Sequence, residues 1–136
     1  MANALFDAGR QGFLAGEIDW DANDIRCALV RGYTYSAAHD YLNDVTTAGG
    51  TVVASSTALT GKSTTGGVAD ASDVTFSSVA AGAAITSVIV YTEGSGTDAT
   101  RRLIAYIDTG TGLPVTPNGA NITIVWDSGA NKIFKL

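Results

Sequence analysis

Asp19-Trp20-Asp21-Ala22-Asn23-Asp24 is the stretch whose residue types come closest to chemistry. Side-chain oxygens at alternate positions are how a calcium loop gathers its ligands. Such a loop also needs Gly at its sixth place and a bidentate Glu at its twelfth. Those places hold Asp24 and Val30. The segment therefore reads as a polar turn before a strand, its Asp and Asn oxygens accepting from nearby amides. Gly61-Lys62-Ser63 has the ending of a phosphate loop, but Ser56 stands where its first Gly belongs. Thr64-Thr65-Gly66-Gly67 is also poor material for the helix that must follow. His39, the one histidine, lies three residues after Ser36 and beside Asp40. A nucleophile, its base and an oxyanion hole usually come from separate segments, so one helical turn does not assemble a triad. A single histidine also falls short of the usual multi-histidine zinc site. Cys27 alternates inward on an apolar strand and reads as core. No catalytic, metal or cofactor residue is assigned, and the chain is expected not to be an enzyme.

Composition sets the class. Apolar residues make up 46% of 136, enough for one core, while charged residues make up only 15%. The surface must then be built largely from Thr, Ser, Gly, Asn and Ala, which shed water at little cost when covered. The net charge is −5, and Arg101-Arg102 is the one adjacent basic pair, which argues against a nucleic-acid partner. No apolar run approaches the ~20 residues of a membrane span. The opening residues lack the basic-then-apolar pattern of a secretory signal, and a lone cysteine allows no intrachain disulfide. Synthesis in a reducing cytoplasm is expected. Asn121-Ile122-Thr123 matches a glycosylation sequon only by pattern.

The elements follow from periodicity. Residues 3–15 read as an amphipathic helix, capped by Asn3 and stopped by Gly16. Gly9 and Gly12 weaken it by about 1 kcal/mol each relative to Ala, so packing must hold it. It either covers a sheet or is an arm that docks on a neighbour. Ser36 can cap a short helix over 37–42. Strands are expected at 25–30, with Ile25, Cys27 and Leu29 on one face, and at 51–58, 74–79, 85–91, 103–107 and 122–126. The run at 85–91 is apolar on both faces and so central. Phe134 and Leu136 are expected to lock the last residues into the core sheet. About seven strands separated by Gly-, Ser- and Thr-rich turns predict a mainly β fold, an antiparallel β-sandwich or barrel with a short N-terminal helix. One domain covers 1–136, with 1–16 a helix or arm and 25–136 the β-domain.

Three stretches carry a resemblance. They are Met1-Ala2-Asn3-Ala4-Leu5-Phe6-Asp7-Ala8-Gly9-Arg10 with Phe13-Leu14 and Ile18-Asp19-Trp20; Ala58-Leu59-Thr60-Gly61-Lys62 with residues 67–71 and 73–76; and residues 103–108 and 112–119 up to Trp126. Together they resemble a family of small virion proteins of tailed bacteriophages and prophages. These motifs are structural and transfer no active site. The resemblance implies a virion component. The leading expectation is a capsid decoration (cement) protein on the outside of the major capsid protein lattice. The alternatives are a tail, neck or fibre-associated protein, or a module binding host-surface carbohydrate through Trp20, Trp126, Tyr33, Tyr35 and Tyr41. Partners would be the major capsid protein or another virion protein, with homo-oligomers expected and neither nucleic acid nor membrane involved. The expected contact residues are Leu5, Phe6 and Phe13 on the N-terminal segment, and Gly66, Gly67, Gly94 and Gly96 in two loops that bring backbone close to a partner.

Overall fold

A computed structural model describes residues 3–109 and 112–136. Met1 and Ala2, quoted in the resemblance, lie outside the described residues. The chain order is β1 (Ala4–Leu5), α1 (Asp7–Leu14), β2 (Ile25–Arg31), α2 (Leu42–Thr47), β3 (Thr51–Ser55), a 3₁₀ turn (Thr65–Gly67), β4 (Val68–Ala69), β5 (Val74–Phe76), β6 (Ser87–Thr92), β7 (Leu103–Ile107), β8 (Ile122–Ile124) and β9 (Phe134–Lys135). Five strands form an antiparallel sheet in the order β1-β7-β6-β2-β3. β4 pairs with β9 and β5 with β8 as separate short ladders. The fold is a mainly β, sandwich-like arrangement and not a closed barrel.

Both faces of the main sheet are covered, which explains the continuous apolar runs of β6 and β7. Ile25, Cys27 and Leu29 point to the side that holds Trp20, Phe76, Trp126 and Phe134. Ala28 and Val30 point to the other side, beneath Tyr33, Leu42 and Val45. Strand period two thus divides β2 between two cores.

The N-terminal segment is not an arm. Ala4 and Leu5 pair with Tyr106 and Ala105, and Phe6 N–H donates to the Ile104 carbonyl at 2.9 Å. Asn3 does not cap a helix. Its Oδ1 instead accepts from the backbone N–H of Asp108 (3.0 Å) and Thr109 (3.2 Å). The helix starts later, at Asp7, because residues 4–5 are drawn into the ladder. It docks where β7 carries an extra residue. Val90 faces Ala105 and Tyr91 faces Leu103, so Ile104 is a bulge. Gly9 sits on that bulge. A Cβ there would stand 2.8 Å from Ile104 Cα and 2.9 Å from its carbonyl oxygen. Gly9→Ala raises helix propensity by about 1 kcal/mol but must lift α1 off backbone atoms, and overpacking of this kind costs about 1–3 kcal/mol. The expected net result is a lower melting temperature, read by thermal unfolding. A higher one would mean that α1 is not seated on β7.

The helix expected over 37–42 is displaced to 42–47. Ser36 begins only a turn, its carbonyl accepting from His39 N–H at 3.2 Å. The start signal is Asp44, whose Oδ2 accepts the backbone N–H of Asp40 at 2.8 Å and of Tyr41 at 3.1 Å. Those two bonds hold its carboxyl below the usual carboxylate range. A depressed carboxylate stabilises the fold above its unfolded pKa and loses that contribution as pH falls through the depressed value. Asp44→Ala should cost about 1 kcal/mol at neutral pH. The gap to wild type should close under acid, where the wild-type carboxyl is protonated as well. A gap that persists at low pH would assign the effect to packing.

The chain end is ordered, but not in the main sheet. β9 pairs with β4, and Leu136 N–H donates to the Gly67 carbonyl at 3.0 Å. Ile124 and Trp126 are buried in the first core with Ile122 packed against it, whereas Leu136 is 60% exposed. Among the described residues, no helix is long and apolar enough to cross a membrane.

Candidate interaction surface

The segments considered for chemistry are tied into local structure. Asp19 Oδ1 accepts the backbone N–H of Asp21 and of Ala22 (both 3.1 Å), and Asn23 Oδ1 accepts that of Asp19 (2.8 Å). The calcium-like stretch is thus a self-capped polar turn. Lys62 Nζ donates to the Asn23 carbonyl at 2.6 Å and braces that turn. His39 Nδ1 lies 2.6 Å from Tyr33 Oη. Cys27 is fully buried, and burial pushes its thiol up to about 12, which leaves little thiolate at neutral pH.

The aromatic residues suggested for sugar stacking do not form a platform. Trp20 (3% exposed) and Trp126 (7%) are core residues. Their indole N–H groups donate to the carbonyls of Asp70 and Ser72, both at 3.0 Å, and so pin the 70–72 segment. Tyr33 is buried and Tyr35 half-buried, with its hydroxyl donating to the Leu5 carbonyl at 2.6 Å. Of the five only Tyr41 is exposed (38%), so they do not form the shared stacking face expected of them.

The expected contact residues divide into three groups. Phe6 is fully buried and packs 5.1 Å from the Tyr35 ring, so it cannot touch a partner. Helical spacing put Phe6 on a stripe with Leu5, but it is the turning point from β1 into α1 and faces the second core. Leu5 is half-buried in β1. Phe13 reaches the surface as part of a groove of about 320 Å³. That groove's aromatic floor is Phe13, Phe134 and Trp20, with the Phe134 ring 5.7 Å from Phe13 and 5.3 Å from Trp20. Gly67 and Leu136 form part of its wall. Gly66 and Gly67 are exposed at φ +69° and +76°, a backbone shape that disfavours side chains.

Gly94 and Gly96 lie in the exposed loop between β6 and β7. Gly94 lines a second, polar groove, which shares Ile18 with the first. The 16–24 segment is therefore the ridge between the two grooves. Phe13 and Gly67 come together in the first groove only through tertiary folding, and Gly94 lies apart from them in the second. Sequence reading missed Trp20, Phe134 and Leu136 as groove residues. The one available signal was the alternation of Phe134 with Leu136.

The 93–98 loop is braced at its base. Arg101 donates to Glu93 Oε1 at 2.6 Å and to Asp98 Oδ1 at 2.7 Å, and its guanidinium lies 5.9 Å from the Tyr91 ring centre. Arg26 reaches Glu93 at 3.3 Å and Asp24 at 2.9 Å. Thr100 Oγ1 accepts from Ser95 N–H and donates to the Thr97 carbonyl. Arg102 crosses to α1, donating to the Ala8 carbonyl at 2.8 Å and pairing with Glu17. A braced loop loses little conformational entropy when a partner covers it. Arg101→Ala should lower stability by about 1–2 kcal/mol, between exposed and buried ion-pair values. Amide exchange at 94–98 should quicken far more than in β6. Unchanged loop protection would mean that Thr100 alone holds the turn.

No protein-family model matches this chain, and neither a curated protein nor a solved structure was found to be similar to it.

Proposed function

We propose that this chain is a structural component of a tailed-phage virion, a decoration protein bound to the outside of the major capsid protein lattice. The observation that carries the reading is the pairing of two largely exposed Gly-rich loops, at 61–67 and 93–98, with a doubly covered sheet. The loops present backbone and small polar side chains, and the chain is only 15% charged. Such a surface desolvates at low cost. The resemblance of the three quoted stretches to small virion proteins supports the same reading. A protein of this kind binds the assembled lattice in preference to free subunits and so stabilises the shell by mass action. Many modest contacts then act together.

The test is quantitative mass spectrometry of purified virions, followed by rebinding of the isolated protein to particles that lack it. Hundreds of copies per particle and saturable rebinding to heads are expected. A few to some tens of copies would move the protein to a tail, neck or fibre site. Absence from virions, together with glycan binding by the isolated protein, would replace the reading with host-surface recognition.

A further inference from the structure

The groove floored by Phe13, Trp20 and Phe134 lies on a face with three properties that belong together. The first is apolar exposure. Leu14 is 89% exposed and follows Phe13 at the end of α1, and Leu136, 60% exposed, lines the groove. The strand end thus leaves a large aliphatic side chain, Leu136, in water on the wall of an apolar hollow, a feature that marks a contact surface. The second is negative charge on one flank. Asp19 lines the groove, and Asp21 stands behind it, 3.4 Å from the Thr64 hydroxyl.

The third is positive charge on the other flank. Phe134 also lines a neighbouring groove of about 380 Å³, bordered by Arg10, Lys132 and Lys135 and by a single acid, Asp127. Three of the eight basic residues of an acidic chain therefore gather at one groove. Arg10 pairs with Asp7 at 3.2 Å and Lys132 with Asp70 at 3.7 Å. Exposed pairs of this kind are weak and can be re-partnered. Lys135 has no ion-pair partner among the described residues.

We infer that this face joins two copies of the chain about a two-fold axis. A two-fold interface uses one patch twice, so the patch must be complementary to itself. An apolar strip with acid at one end and base at the other meets that condition. Turned by half a revolution, the Asp19 flank of each copy meets the Lys132 and Lys135 flank of the other, and the exposed Leu136 meets the apolar strip. Charge complementarity selects a second copy, because one chain carries both halves. The pairing stands whether or not the chain is a virion component.

Sedimentation velocity of the full chain over a wide concentration range tests it. A dimer is expected, and it should weaken as salt is raised, because exposed charges are screened. Lys132→Glu with Lys135→Glu reverses the charge of the basic flank at every position but Arg10, which Asp7 already pairs. Asp19→Asn with Asp21→Lys makes the acidic flank basic, while the amide oxygen introduced at position 19 still serves the local turn. Each double variant alone should be monomeric, and their equimolar mixture should dimerise. Leu136→Asp should also dissociate the dimer while moving the melting temperature of the monomer little, since Leu136 is 60% exposed. A wild-type chain that stays monomeric overturns the proposal, as do charge variants that dimerise like wild type. A mixture that fails to pair overturns the assignment of these two flanks to each other. Growth beyond dimers would mean a head-to-tail contact and overturn the two-fold axis.

Discussion

Removal of residues 1–15 should leave a chain that does not fold. It takes away Phe6, fully buried in the second core, and Phe13, packed against the first. It uncovers β7 along the line where Gly9 meets Ile104, and it strips β1 from the sheet edge. The fully buried Phe6 alone is worth roughly 3–5 kcal/mol, against a total stability of about 5–15 kcal/mol, and the partly buried Phe13 and the lost β1 pairing add to that. Circular dichroism and thermal unfolding of the truncated chain provide the check. A soluble, cooperatively melting product would restore the view that this segment is an arm.

Deletion of residues 133–136 should be nearly as damaging. Ile133 and Phe134 are buried, and the Phe134 ring is wedged between Phe13 and Trp20. Loss of β9 also leaves β4 without a partner and removes the bond between Leu136 N–H and the Gly67 carbonyl. Two buried apolar side chains, at roughly 2–5 kcal/mol each, again approach the whole of the expected stability. The single change Phe134→Ala should lower the melting temperature sharply and open the groove floor, whereas Leu136→Ala should do little, since Leu136 is 60% exposed. Equal effects from the two substitutions would show that the β4–β9 ladder, not the aromatic packing, holds this end.

The aromatic groove and the two loops differ in how they could be recognised beforehand. Glycine at 66, 67, 94 and 96 is visible as turn chemistry, and all four have positive φ. The groove is not visible in the same way. Phe13, Trp20 and Phe134 lie on three segments without shared periodicity, and they meet because α1 is seated on the Ile104 bulge and β9 on β4. A bulge is a property of strand pairing, and no local pattern in β7 announces it.

The amino-acid sequence alone determined the class of fold and the middle of the sheet. The apolar run at 85–91 reads as a strand covered on both faces and 103–107 as a strong strand, and both are buried strands of the main sheet. Alternation along Ile25–Arg31 likewise assigned Cys27 to one core. The tertiary structure alone decided the roles of the ends. Ala4-Leu5 has the same composition whether it lies on a helix or in a strand, and pairing with Tyr106 and Ala105 selects the strand. Phe134 alternates as a core-sheet residue would, but its ladder partner is Ala69. Short segments satisfy several local patterns at once, and the choice among them falls to long-range hydrogen bonds and packing, which no window of sequence contains.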